Sequence, residues 1–98
     1  MSSFSFVLPS DFADYEWEVT AKGYFFDAQM TVSGKRYRLN FYDDVRLGQE
    51  IESELERVGV FFEPNLVIVR SVTRVDMERA AERLMQSGRV ASLTPEPA

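Results

Sequence analysis

The sequence predicts an α+β domain in the order β-β-β-α-β-α: a mixed sheet of four to five strands with two helices on one face, a two-layer sandwich. Three observations predict it. Two alternating runs flank Ser33-Gly34, two later runs carry apolar stripes at helical spacing, and Leu66-Val67-Ile68-Val69 is apolar throughout. Alternation with a period of two marks a half-buried strand, and a period near 3.6 marks an amphipathic helix. A short run without polar positions is a strand that needs cover on both sides. Leu66–Val69 is therefore expected as an inner strand.

The segment 1–13 is expected to dock on the rest of the chain. Phe4, Phe6 and Leu8 alternate with Ser3, Ser5 and Val7 up to Pro9, which spells a short strand. From Tyr15 to Ala21 the residues Tyr15, Trp17, Val19 and Ala21 alternate with Glu16, Glu18 and Thr20. That pattern predicts a half-buried strand, with Lys22-Gly23 as the following turn.

Residues 24–42 spell a hairpin closed at Ser33-Gly34. Pairing Val32 with Lys35 sets Met30 against Tyr37, Ala28 against Leu39 and Phe26 against Phe41 on one face. The other face then pairs Thr31 with Arg36, Gln29 with Arg38 and Asp27 with Asn40. A slip of one residue would mix the two sets, so the pattern specifies the register.

Asp43-Asp44 opens a helix, since either carboxylate can cap it and both suit its positive end. Leu47, Ile51, Leu55 and Val58 form its apolar stripe, Glu50, Glu52, Glu54 and Glu56 crowd its wet face, and Gly59 ends it. A second helix starts at Thr73, with Asp76 three residues on and a hydrophobic staple between Val72 and Met77. Its stripe is Met77, Ala80, Ala81 and Leu84, and Gly88 stops it. Residues 89–93 offer a short last strand, and 94–98, rich in proline, are expected to fray.

With 98 residues the chain makes one domain, 1–98. It has no cysteine and no histidine. Disulfides, thiolate metal sites and cysteine nucleophiles are excluded, and the commonest general base and metal ligand are missing. No nucleophile elbow, phosphate-binding loop or dinucleotide fingerprint is present. Asp43, Asp44 and Glu50 lack the spacing of a calcium loop and read as a cap and a wet helix face. The expectation is a protein that is not an enzyme, with no cofactor and no metal.

The net charge of −5 argues against nucleic acid as the main partner, and is compatible with solubility alone or with a basic protein partner. Lys35-Arg36-Tyr37-Arg38 is the one basic cluster, diluted by acidic neighbours. The N-terminus lacks the basic region and apolar core of a signal peptide, and no apolar run reaches membrane-spanning length. A small soluble cytoplasmic protein is expected.

The central run leaves one apolar side without an assigned cover. Three covers are available: the N-terminal segment, the C-terminal residues, or another chain, including a homodimer partner. The expected function is a non-catalytic protein-binding domain, of the kind exemplified by a small inhibitor or immunity-like protein acting on a basic partner. Asp44, Glu52 and Glu56 would steer the encounter, and Phe25, Tyr42, Val67 and Val69 would supply apolar contact. The alternative is a small-molecule-binding or regulatory α+β module, dimeric through its sheet.

Overall fold

The computed structural model describes residues 4–97. The elements are β1 (Phe4–Val7), α1 (Phe12–Lys22), β2 (Tyr24–Val32), β3 (Lys35–Asp43), α2 (Asp44–Val58), β4 (Leu66–Val69) and α3 (Arg74–Gln86), followed by a 3-10 turn at Arg89–Ser92. One four-stranded sheet runs in the order β1-β2-β3-β4. The first three strands are antiparallel and β4 lies parallel to β3, so the sheet is mixed and the fold is α+β, with three helices.

The hairpin keeps the expected register from Val32↔Lys35 through Ala28↔Leu39. Ser33 and Gly34 both have positive φ, 50° and 81°, the backbone a two-residue turn needs to match the strand twist. Beyond Ala28 the register shifts, and Phe25, not Phe26, pairs with Phe41. An extra residue in β2 turns the strand over locally. Phe25 therefore enters the core, against the expectation that it faces outward, and Phe26 turns to the opposite face.

The strand expected over Tyr15 to Ala21 is a helix. Its buried stripe is Phe12 and Val19 with Tyr15 beside them, at i, i+3 and i+7, and Trp17 is turned to water with 72 % of its surface exposed. Glu16 and Thr20 share the inward face because they bond there. The Glu16 carboxylate accepts from the Arg74 backbone N–H at 2.8 Å, and the Thr20 hydroxyl donates to the Val72 carbonyl at 2.8 Å. These two polar residues disguise the helical period as alternation. Gly23 closes the helix at φ 80°, its N–H bonded to the Val19 carbonyl.

The core lies between one sheet face and helices α1 and α3. Phe12, Phe25, Met30, Leu39, Phe41, Val69, Val72, Met77 and Ala81 are its centre. Phe12 meets Phe25 edge-on with ring centroids 5.1 Å apart, and Phe6 meets Phe41 at 6.2 Å. The Thr73 hydroxyl caps α3 by accepting from the Asp76 N–H at 3.2 Å. Tyr42 and Leu47 are buried but stand outside this cluster. Tyr42 stacks with Phe26, and Phe26 with Tyr24, on the sheet face opposite Phe25 and Phe41, where Arg46 of α2 lies over the Tyr24 ring.

Leu66–Val69, expected as the inner strand, is the edge. Val69 is buried in the core and Val67 packs against it, while Ile68 is exposed and Leu66 half-buried. The outward pair is thus Leu66 and Ile68. The N-terminal segment docks as β1 at the other end of the sheet, Phe4↔Val32 to Val7↔Gln29, so it cannot cover β4. Residues 89–92 form a 3-10 turn instead of a strand. The tail expected to fray is tied down at Thr94 and Glu96. Thr94 exchanges two hydrogen bonds with the Asn65 side chain at 2.8 and 2.9 Å, and Glu96 N–H donates to the Arg36 carbonyl. Asn65 has φ 54°, a left-handed conformation its short amide tolerates while it clips the strands together.

Candidate protein-docking surface

Helix α2 is secured at both ends by local chemistry. The Asp43 carboxylate accepts from the Arg46 N–H at 2.7 Å, and Gly59, at φ 81°, donates to the Glu54 and Leu55 carbonyls. Its N-terminus is locked to the end of α1. Asp43 N–H donates to the Gly23 carbonyl at 2.9 Å, and a Cβ on Gly23 would lie 2.6 Å from Asp43 Oδ2. The Arg46 guanidinium lies over the Tyr24 ring at 5.0 Å, and Tyr24, Phe26 and Tyr42 follow one another at 5.0 and 5.4 Å between centroids.

From this anchor the apolar stripe of α2 runs off the sheet. Leu47 is buried and Ile51 half-buried, but Leu55 and Val58 are 50 % and 53 % exposed. The chain then presents Val60 at 60 % and Phe62 at 85 % exposure. Four large apolar side chains left open over the end of a helix and its following loop form a patch that soluble monomers seldom leave bare.

Val58, Val60 and Phe62 of this patch rim a cavity of about 490 Å³ lined also by Phe26, Tyr42, Glu50, Glu54, Phe61 and Glu63. Tyr42 closes its base. Burial, and next the Glu63 carboxylate beside it, push the phenol well above its ordinary range, so it stays protonated. Glu63 Oε2 is shielded from solvent and accepts no hydrogen bond.

The charge is concentrated here. Residues 43–63 hold seven acidic and two basic side chains, which accounts for the chain's whole net charge of −5. Arg46 pairs with Glu50 at 2.7 Å, and Arg57 pairs with Glu54. Asp44, Glu52 and Glu56 are exposed and make no ion pair among the described residues. Glu52 and Glu56 stand one turn apart, with Leu55 and Val58 within a turn of Glu56.

The residues expected at a partner surface divide accordingly. Asp44, Glu52 and Glu56 lie on exposed positions of α2, and Tyr42 forms the floor of the cavity. Phe25 and Val69 are core, and Val67 packs against it. By spacing alone Leu55 and Val58 belong to the buried stripe of α2, and Val60-Phe61-Phe62 leads into β4, with one of the two phenylalanines facing out. The available signal was Val60-Phe61-Phe62 directly after the Gly59 stop, three apolar residues too near a helix end to be covered by it.

No family model matches this chain, and no curated protein or solved structure does. The surface has to be read from its own chemistry. It offers no histidine or cysteine, Asp43 is committed to a cap and Glu50 to Arg46, and what remains is an apolar patch edged by unneutralised carboxylates.

Proposed function

We propose that the protein is a non-catalytic binding domain that docks another protein on the end of α2 and the Val60–Phe62 loop. The observation that carries this reading is Phe62, 85 % exposed, beside Leu55, Val58 and Val60 within the acidic stretch 43–63. Aromatic and aliphatic side chains of this size supply affinity when a partner desolvates them. Glu52, Glu56 and Asp44 raise the encounter rate with a partner of opposite charge and lose that effect as salt is added. The partner is a protein with an apolar pocket ringed by lysine or arginine. An inhibitor or immunity-like protein that blocks a basic target is one concrete form.

The test places a photo-crosslinking benzoylphenylalanine at position 62 in cells, with the same group at Gln29, in the middle of the sheet, as control. One discrete protein adduct is expected from position 62 and none from position 29, and E52K/E56K removes the adduct. Identical adducts from both positions, or none from either, contradict the reading.

A second reading, a small-molecule or regulatory module, has one observation in its favour. Glu63 and the protonated Tyr42 phenol both line the cavity of about 490 Å³. A cationic aromatic compound would suit that pair. Thermal stabilisation by such compounds, lost in Glu63→Gln, would favour it over the first.

A further inference from the structure

The sheet ends at β4, and no strand among the described residues pairs with its outer edge. The register fixes which backbone groups are free. Asn40 N–H donates to the Asn65 carbonyl at 3.0 Å, and Asn40 and Tyr42 stand beside Leu66 and Ile68. In a parallel ladder, alternate residues address the same neighbour with both backbone groups. Asn65, Val67 and Val69 therefore turn to β3, and Leu66 and Ile68 turn their N–H and C=O outward.

Alongside this edge runs a cavity of about 740 Å³, between β4, α3 and the 3-10 turn. Leu66, Val67 and Ile68 line one wall and Leu84, Arg83 and Arg89 the other, and no acidic side chain lines it. Arg83 and Arg89 are exposed and make no ion pair among the described residues. An open edge strand of four apolar residues is a template for another strand, and natural folds commonly blunt or cover such an edge.

We propose that this groove binds an extended acidic peptide segment of a partner protein, added to β4 as a fifth strand. The Leu66 and Ile68 backbone supplies the ladder. Carboxylates on the face of the peptide turned to α3 meet Arg83 and Arg89, and β-branched side chains on its other face pack on Ile68. The site is distinct from the acidic surface of α2 and opposite in charge. The chain's own tail does not fill it, because Thr94 is held by Asn65 and Glu96 by Arg36. A second copy is the poorer occupant: pairing two β4 edges about a two-fold axis would bring Arg83 and Arg89 of one copy against those of the other.

The probe is a fluorescein-labelled peptide of about ten residues alternating valine with glutamate, titrated into the full chain and followed by polarisation. Saturable binding is expected, with the valine–lysine counterpart at least about tenfold weaker. Amide NMR signals of Leu66 and Ile68 shift on binding. Ile68→Pro removes an outward N–H without removing a ladder bond, so binding is lost while the melting temperature holds. R83E/R89E, at two exposed positions, weakens the glutamate peptide by at least about tenfold and reverses the preference. Equal affinity for both peptides, absence of saturable binding, or a chain already dimeric through β4 in sedimentation overturns the proposal.

Discussion

Helices α1 and α2 invert what their sequences promise. The α1 stripe is broken by Glu16 and Thr20 and reads as a strand, yet Phe12 is fully buried and Val19 nearly so. The α2 stripe, Leu47, Ile51, Leu55 and Val58, is regular and well capped, yet its second half lies open. The difference is in what each helix finds within the chain. Helix α1 meets Phe25 and the start of α3, where Val72 and Arg74 satisfy its polar residues. Helix α2 is anchored at its first turns, where Leu47 is buried and Arg46 lies over the Tyr24 ring, and its C-terminal half is left exposed. A hydrophobic period shows that a face is to be covered. It does not show that the same chain covers it.

The comparison can be broken by substitution. Phe12→Ala removes a ring that touches Phe25, Tyr15 and the Arg74 guanidinium. It is expected to cost about 3–5 kcal/mol in urea unfolding. Gly23→Ala strains the joint between the two helices. Its φ of 80° disfavours any side chain by roughly 1–3 kcal/mol, and its Cβ would press within 2.8 Å of Arg46 Cβ. A large loss of unfolding midpoint is the expected reading. Asp43→Ala removes the α2 cap and is expected to lower stability by about 1 kcal/mol.

The fourth prediction concerns pH. The folded state holds the Tyr42 proton more tightly than the unfolded chain, whose phenol titrates near 10.0. Its contribution to stability is complete below that value and is lost as pH rises through the higher, folded one. Urea unfolding at pH 9 and 11 should show wild type losing more stability than Tyr42→Phe over that interval. A parallel loss in both proteins would contradict the placement of Tyr42.

The parts of the fold that local pattern could specify were legible. Five consecutive hairpin pairs follow from alternation between Ala28 and Val32, and both aspartate- and threonine-capped helices follow from their caps and stops. The rest depends on distant partners. Phe25 and Phe26 are both aromatic, so either can face Phe41, and only the bulge decides between them. Thr20 and Glu16 bond 52 and 58 residues away, which no window over α1 can reveal. The apolar run of β4 reads as interior because both its faces are hydrophobic, whereas it forms the edge of the sheet and leaves Ile68 exposed. In the candidate site the carboxylates of Asp44, Glu52 and Glu56 were legible from helical spacing. The apolar half was not, because Leu55 and Val58 carry the same pattern as a buried stripe.

Equilibrium urea unfolding of L55S/V58S/F62S compares the open surface with the core most directly. If these side chains lie outside the fold's own packing, the triple variant keeps the wild-type m-value and loses no more than about 0.5 kcal/mol per site. A loss per site approaching that of Phe12→Ala would mean the chain buries them itself, and the docking surface would not exist.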